Sequence, residues 1–479
     1  MVSAANAQSP PPAGSPPSAT KPASSTKNKK DRSRLISRVN IPLYTIDVVS
    51  ERHVLVAGGG GRVKTGVSNK IEILEIIPEE GGTFRAETVA TCETGDVIMS
   101  STLCSVKDSR HLFLAAGKGG MCDLYRLTYS LRNANQTANG AVMHNQPSAA
   151  HQKNGDRVVR QRRGDREDGP VNRQGQAADD AGGQGDHNRI DPNGNVAGGV
   201  SKLGFDIRAE MSFQTDFSET EEPFQKVVRF APKKGIWFTG GSDGWLRAWK
   251  SPAFTKVFEV KAHTGQIDDI TVSSGEESVV SIGKDGLAFI WSFQGENMME
   301  LKLPADDKYS FRNARFGVVA ESNSGQCRLF TTMNPTVRRR PPRTTYLVKW
   351  NPHKAFASEL VKASGPDLFS TMAISDDGIF VATGRQSGCV EIFIAFSLER
   401  LYVCEKAHNI FVTGMAFLKG AGETRRLTKS DATLVSISVD NLLKAHCIPA
   451  QSSMGVLGLT CFFICFMVLV YIALDFLGL

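Results

Sequence analysis

The chain of 479 residues is 41% hydrophobic and 22% charged, which is enough for at least one large folded core. The formal net charge of +7 is modest for this length, and the nine scattered cysteines contain no CxxC pair. This composition argues against a disulfide framework and against a cysteine zinc site, and it indicates reduced thiols facing the cytosol.

Residues 1–38 are rich in Pro, Ser, Ala and Lys and are predicted to form a disordered basic arm. Such an arm could touch nucleic acid or acidic lipid headgroups. No aromatic side chain is interleaved with its charges, so a solvated tail is the preferred interpretation and nucleic acid is not expected as a partner.

Strand signals begin near Ile41, and no long amphipathic helix stands out in the body of the chain. Short apolar runs between Gly, Asp and Ser turns predict an all-β body over residues 39–450. Residues 131–200 interrupt this body, because Asn, Gln, Gly, Asp and Arg dominate there and large apolar residues almost vanish. We predict a disordered low-complexity insertion between two strands.

A loop with four consecutive glycines lies between two strand-like runs, Val54–Ala57 and Lys70–Ile76. A phosphate-binding P-loop needs a glycine directly before its Lys-Ser/Thr pair and a helix after it. Here Val63 precedes Lys64 and Thr65, and the next run alternates apolar and polar residues like a strand. The dinucleotide-binding fingerprint fails on the same missing helix. We therefore expect an enlarged hairpin loop and no nucleotide bound by this chain.

Repeats become visible after residue 203. The segments TGGSDGWLRAW at 239–249 and SIGKDGLAFIW at 281–291 align, with their Asp and Trp residues 42 positions apart. That period, with a D-G turn and a terminal Trp, is typical of WD-type propeller blades. Degenerate copies follow at 383–393 and 435–446. The His and Asp residues of these repeats, His263 and Asp440 among them, recur at repeat positions, which favours hydrogen-bond networks inside blades over catalysis.

In this repeat frame the glycine loop lies where we expect every other blade to have a tight turn of two to four residues. Ordering a glycine run costs backbone entropy, so an insertion there needs a reason. The loop contains no carboxylate, and converging carbonyls would suit a weakly hydrated monovalent cation better than magnesium or calcium. On physical grounds alone, a cation cage and a merely flexible loop both stay open.

Residues 456–474 carry no charge and predict a single transmembrane helix over 455–475, since 19 residues span about 28 Å as a helix. No apolar run follows the N-terminus as a signal peptide requires, and Arg425, Arg426, Lys429 and Lys444 precede the segment. We expect a cytosolic body on a C-terminal anchor, with residues 476–479 as a short lumenal tail.

The chain resembles the endoplasmic-reticulum guanine-nucleotide exchange factors for the Sar-type small GTPase, the prolactin regulatory element-binding protein family. The resemblance covers the chain from about residue 40 to the anchor, except for the 131–200 insertion. Its most specific pieces are LVAGGGG at 55–61 with GVSN at 66–69, GSDGWLRAWKSP at 241–252, VKAHTGQIDD at 260–269, and the run from IFIAFSLERLY to KAHNIFVTGMAFL at 392–418.

This resemblance implies a seven-bladed propeller whose glycine-rich loop binds K⁺ as a structural ion and projects into the GTPase. It implies that Asn69, in the motif G-[IV]-x-N, is the key exchange residue, and we expect Asn69→Ala to abolish exchange while the propeller stays folded. The remaining implied site residues are Lys64, Thr65, Gly66, Val67 and Ser68 for GTPase binding, and the backbone of Gly59, Gly60, Gly61 and Gly66 for potassium. The four residues Arg62–Thr65 vary in the family.

An exchange factor for this GTPase would make no chemical bond and would act at the endoplasmic-reticulum membrane to start COPII vesicle coat assembly. Other COPII or exit-site proteins are further candidate partners. Two other functions stay open at this stage, a membrane-anchored WD-type scaffold and a transcriptional regulator. The enlarged glycine loop argues against the scaffold, and the lack of a recognisable DNA-binding module argues against the regulator.

Overall fold

A computed structural model describes most of the chain. The described residues are 33–62, 66–79, 83–105, 111–132, 202–219, 222–302, 308–319, 326–337, 340–420, 428–450, 456–476 and 478. The chain divides into two compact units, one of residues 1–128 with 206–479 and one of residues 129–205. In the smaller unit the described residues are strand ends, where the rings of Tyr129 and Phe205 lie 6.4 Å apart.

Seven four-stranded antiparallel sheets form a seven-bladed β-propeller, as the sequence predicts. Blades one to four follow the chain order from the first to the fourth strand. Their strands are β2 Leu43–Val48, β3 His53–Gly58, β4 Lys70–Glu79 and β5 Thr83–Glu93; β6 Ser100–Ser105, β7 His111–Lys118, β8 Met121–Arg132 and β9 Lys202–Gln214; β10 Gln225–Ala231, β11 Ile236–Gly241, β12 Trp245–Lys250 and β13 Thr255–Lys261; and β14 Ile267–Val272, β15 Ser278–Gly283, β16 Ala288–Ser292 and β17 Asn297–Glu300.

Blades five and six have the same order, and the seventh blade takes its outermost strand from the start of the chain. Their strands are β18 Tyr309–Val318, β19 Cys327–Pro335, β20 Tyr346–Asn351 and β21 Ala357–Ala363; β22 Phe369–Ile374, β23 Phe380–Arg385, β24 Val390–Ile394 and β25 Arg400–Cys404; and β26 Val412–Phe417, β27 Ser430–Ser438 and β28 Leu442–Pro449, with β1 Ser33–Arg38. A short 3-10 turn, Pro352–Lys354, follows β20. Apolar clusters pack between neighbouring blades.

The first strand closes the ring, because β1 pairs with β28 in the last blade. Its Ile36 lies in the apolar cluster shared by the first and seventh blades, together with Leu443 and Ala445 of β28. Within the described residues the propeller therefore begins at residue 33, six residues before the predicted start at residue 39. Residues 33–38 belong to the folded body, whereas the rest of the predicted arm lies outside the described residues.

The two ends of each blade carry different connections. Since the strands are antiparallel, the connection from second to third strand lies on the same face as the connection from one blade to the next. The long loop between β3 and β4 is therefore on the face of Pro42, whose carbonyl accepts a hydrogen bond from Gly59 N at 3.0 Å. The third strand of the last blade, β28, starts on this face and ends at Pro449 on the opposite one.

The repeat histidines lie in hydrogen-bond networks inside blades, as the repeat pattern predicts. In the fourth blade Trp291 Nε1 donates to Ser281 Oγ at 2.9 Å. The imidazole of His263 contacts Ser281 Oγ through Nε2 at 2.8 Å and Asp285 Oδ1 through Nδ1 at 3.0 Å. This series of donors fits a neutral imidazole with its proton on Nδ1. Burial lowers the pKa of His263, in agreement with that form.

The seventh blade repeats this network with a histidine in the place of the tryptophan. His408 contacts Ser436 Oγ at 2.7 Å and Asp440 Oδ1 at 3.1 Å. His446 contacts the same Ser436 Oγ at 2.8 Å and the Tyr402 hydroxyl at 3.0 Å. Burial, together with smaller contributions from the nearby His408 and Lys444, lowers the pKa of His446 to about 3.

The C-terminal segment forms helix α1, Val456–Phe476, at the position predicted from its apolar composition. Within the described residues, no helix is both long and apolar enough to cross a membrane.

The position of Ile36 predicts that ring closure contributes strongly to stability. We expect Ile36→Ala to lower the free energy of unfolding by about 2–5 kcal/mol, the usual cost of truncating a buried Ile. The neighbouring Leu35 is 45% exposed, against 5% for Ile36, so Leu35→Ala should change stability by about 0.5 kcal/mol or less. Thermal and urea unfolding of the two variants compares them directly. Equal effects would contradict the burial of β1 against the core.

The depressed pKa of His446 predicts a loss of stability in mild acid. Its pKa rises towards 6.5 on unfolding, so the unfolded chain binds the additional proton and stability falls as pH drops below 6.5. Between pH 7 and pH 5 this residue alone should account for about 2 kcal/mol. We expect His446→Gln to reduce the dependence of the melting temperature on pH. The exposed His353→Gln should leave this dependence unchanged. An unaltered slope in His446→Gln would contradict the assignment.

Candidate functional site

The enlarged loop of the first blade runs from Gly59 to Asn69 between β3 and β4. The structure describes residues 59–62 and 66–69 of it, and Val63, Lys64 and Thr65 lie outside the described residues. Corresponding connections are short in most blades, for example Gly119–Gly120 and Ser242–Gly244. The fifth blade departs from this rule, because ten residues separate Pro335 from Tyr346. The prediction that every other blade has a tight turn here was therefore wrong for that blade.

The side chain of Asn69 closes the glycine loop on itself. Its Oδ1 accepts a hydrogen bond from Gly61 N at 2.9 Å, and its Nδ2 donates to Gly61 O at 3.0 Å. The Asn69 amide thus pairs with both polar groups of one residue, eight positions earlier in the chain. The backbone carbonyl of Asn69 accepts from Thr94 N at 2.9 Å, which ties the end of the loop to the connection between the first two blades. The described half of the loop is therefore held by specific contacts.

Gly59 packs directly against this closure. Its φ is +139°, and a Cβ built on it would lie 2.2 Å from Asn69 Oδ1 and 2.7 Å from Ser68 O. Only glycine fits this position, because both the backbone conformation and the space exclude a side chain. Gly61, with φ +82°, also has the conformation that favours glycine, but a Cβ there would meet nothing closer than Val97 Cγ1 at 4.0 Å.

Arg62 fixes the loop to the connections on either side of the second blade. Its Nε donates to Asp96 Oδ2 at 2.6 Å, and its NH1 group donates to Glu222 Oε1 at 3.0 Å. The guanidinium also lies over Gly119, where a Cβ would be 2.5 Å from an Arg62 nitrogen. The hydrogen bond and charge of Asp96 raise the pKa of Arg62. Asp96 is itself positioned by Val97 N, which donates to its Oδ1 at 2.8 Å.

The sequence reasoning missed the role of this arginine. It predicted site residues from Lys64 to Asn69, and Arg62 was grouped with residues of variable identity. No pattern in the sequence connects it with Asp96 or Glu222, which are 34 and 160 positions away. Their proximity results from the stacking of blades. Of the predicted GTPase-binding residues that are described, Gly66, Val67 and Ser68 are exposed on the loop, and Asn69 is half-buried.

The chemistry of the loop is compatible with a potassium ion. The oxygens nearest to Gly59 are Asn69 Oδ1 and Ser68 O, and both are uncharged. Neutral carbonyl oxygens suit a weakly hydrated monovalent cation. Among the described residues, no group of three His, Cys, Asp or Glu side chains is placed to hold a metal. The predicted ligands Gly59, Gly60, Gly61 and Gly66 remain predictions.

Fold and site together define the class of protein. The chain is a seven-bladed WD-type β-propeller with Asp–His–Ser networks and a specialised, internally braced glycine loop in its first blade. No protein-family model matches the chain.

Comparison with known proteins gives the particular family. The chain is 31% identical to guanine nucleotide-exchange factor SEC12 of Mus musculus over 430 residues, which cover 88% of this chain and 91% of that protein. It is equally similar to the SEC12 protein of Rattus norvegicus over 429 residues. WD repeat-containing protein 91 of Bos taurus matches 99 residues at 31% identity, 20% of this chain and 13% of that protein. The chain belongs to the SEC12 family of guanine nucleotide-exchange factors.

The contrast between two glycines tests the closure of the loop. Gly59→Ala should break the pairing of Asn69 with Gly61, because the new methyl group would overlap Asn69 Oδ1. We expect the amide hydrogens of residues 59–62 to exchange about 10-fold faster or more, since losing two hydrogen bonds costs about 1–3 kcal/mol. Gly61→Ala meets open space and serves as the control for backbone strain alone. Equal protection in the two variants would contradict the closure.

Proposed function

We propose that this chain is the exchange factor for a Sar-type small GTPase and acts at the endoplasmic-reticulum membrane to start COPII vesicle coat assembly. Membership of the SEC12 family supports the exchange activity. The observation that supports the site is the glycine loop of the first blade, which is held by the contacts of Asn69 and Arg62. A plain scaffold has no need of such a loop.

Exchange requires no bond chemistry from this chain. An exchange factor accelerates nucleotide release when it binds the nucleotide-free GTPase more tightly than the loaded form, and that difference in affinity is the source of its effect. A loop that is ordered before binding loses less conformational entropy when the partner docks. The contacts of Arg62 with Asp96 and Glu222, and those of Asn69 with Gly61, supply such order.

Asn69 has a positioning role in this proposal. Both hydrogen-bonding groups of its amide are occupied by Gly61, so it shapes the loop that meets the GTPase. Direct replacement of GTPase hydrogen bonds by Asn69 would first require these two bonds to open. The exposed residues Gly66, Val67 and Ser68 are the described part of the loop that is available for contact, and Lys64 and Thr65 complete the proposed surface.

Potassium belongs to the same proposal. Asn69 Oδ1 and Ser68 O, together with backbone carbonyls of the glycine run, would hold the ion. When bound it would supply positive charge that draws these carbonyls together. The same residues can be monitored without the GTPase, because K⁺ should slow amide exchange in residues 59–62 and Na⁺ should do so less.

Helix α1 is the proposed membrane attachment. Its side chains at Phe462, Ile464 and Leu469 are exposed, and the sequence from 456 to 474 is uncharged. Burial of such side chains in lipid is favourable. Extraction of membranes with alkaline carbonate, compared with a high-salt wash, separates an inserted helix from peripheral attachment.

The activity is tested by release of labelled GDP from a purified Sar-type GTPase, with the full chain in detergent and either K⁺ or Na⁺ at equal ionic strength. We expect acceleration that weakens in Na⁺. Asn69→Ala should lower the exchange rate about 10- to 100-fold, because losing two hydrogen bonds costs about 1–3 kcal/mol and 1.4 kcal/mol corresponds to a factor of ten. The exposed Asn409→Ala, on the same face, is the control.

Each other outcome has a definite meaning. Acceleration that is indifferent to the cation would retain the exchange factor and reject the potassium site. Near-normal exchange by Asn69→Ala would reject the role of the loop closure. No acceleration by the wild-type chain would return it to the class of scaffolds.

A further inference from the structure

A second surface lies beside the glycine loop, on the connection between the second and third blades. Phe217 is 46% exposed there, and its ring lies over the guanidinium of Arg247, 4.9 Å from the ring centre. The Trp245 ring lies 5.7 Å from the same guanidinium. Both rings line an open cavity of about 360 Å³, whose wall also contains Ser242, Lys261 and Lys284. We call this the Phe217 pocket.

The Phe217 pocket is held rigidly by the blade beneath it. Arg247 is buried, and it donates to Thr215 O at 2.9 Å and pairs with Asp243 at 2.7 Å and Glu259 at 3.1 Å. Asp243 also accepts hydrogen bonds from the backbone of Phe217 at 3.1 Å and of Trp245 at 3.0 Å. The two aromatic residues are thus fixed by one carboxylate and one guanidinium.

The aromatic ring of Phe217 is not needed for the architecture of the blade. In the fourth blade the equivalent backbone hydrogen bond to Asp285 comes from Thr264, and in the seventh blade the bond to Asp440 comes from Asn409. Both are exposed polar residues at the position that Phe217 occupies in the third blade. An exposed aromatic residue at a position where polar residues serve equally well indicates a binding role.

Direct contacts connect the pocket with the glycine loop. Arg62 of the loop donates to the Glu222 carboxylate at 3.0 Å, and Ser242 of the pocket wall donates to Glu222 O at 3.4 Å. Both surfaces lie on the same face of the propeller, because second-to-third-strand connections and blade-to-blade connections share one face. A protein that docks on the glycine loop therefore meets the Phe217 pocket as the adjoining surface.

We infer that the Phe217 pocket is a second docking site for the small GTPase that the glycine loop acts on. This inference rests on the proposed function. The exposed ring of Phe217 offers an apolar face to a side chain of the partner at the edge of this mainly polar pocket. Of its two carboxylates, Asp243 is paired with Arg247, which leaves Glu219 against Lys261 and Lys284. The partner's neighbouring residues are therefore acidic. The pocket supplies affinity, and the glycine loop supplies the preference for the nucleotide-free form.

The test measures nucleotide release from the purified Sar-type GTPase against the concentration of the full chain in detergent. Phe217→Thr copies the residue that the fourth blade has at this position, so it keeps the backbone hydrogen bond and the fold. We expect it to raise the half-saturating concentration about 10-fold or more and to change the maximal rate less than 2-fold. Phe396→Thr, which removes an 81% exposed ring on the opposite face, is the matched control.

The charged part of the pocket is tested by the double variant Lys261→Glu and Lys284→Glu. It should raise the half-saturating concentration by a similar factor, and added salt should then weaken docking less than it does for the wild type. Lys354→Glu, exposed on the opposite face, is the control.

The results separate this inference from the proposed function. Acceleration by the wild type with unchanged half-saturation in Phe217→Thr overturns the pocket alone. A fall in maximal rate at unchanged half-saturation also overturns it, because the pocket would then act in exchange and not in docking. No acceleration by the wild type overturns both the function and the pocket.

Discussion

The pairing of β1 with β28 joins the two ends of the propeller and holds the ring of blades closed. Without it the last blade would have three strands, and the apolar cluster between the first and seventh blades would lose Ile36. The glycine loop belongs to the first blade, which packs against the seventh blade through this cluster. The blade that carries the loop is therefore packed against a blade whose outermost strand comes from the start of the chain.

The repeat architecture was largely predictable from the sequence, because a blade has local signals. The D-G turn at Asp243, the terminal Trp291 and the upstream His263 all recur at fixed spacing, and each takes the expected place in the structure. The closing strand was not predictable in this way. Residues 33–38 carry basic and small polar residues, and their strand conformation depends on an edge supplied by residues 442–446 at the far end of the chain.

The same distinction between local signals and long-range contacts applies to the site. A special role for the loop followed from its length and glycine content, which are local properties. The arrangement within it did not, because the partner of Asn69 is one glycine among four and the anchors of Arg62 come from the two connections that flank the second blade. The ten-residue connection of the fifth blade shows a related limit, since its length is visible in the sequence only when the neighbouring strands are known.

The glycine loop and the end of β28 lie on opposite faces of the propeller, so the length of a strand sets the distance between them. A strand of six residues is roughly 20 Å long at ~3.3 Å per residue, so a partner on the loop is about that far from the face where the chain continues to α1. On the proposed function, with α1 in a bilayer, an activated GTPase would have to cross this gap before it could insert any segment into lipid. Activation and membrane insertion would then be successive events, and the reach of the GTPase's own membrane-binding segment would determine whether it inserts while still docked or only after release.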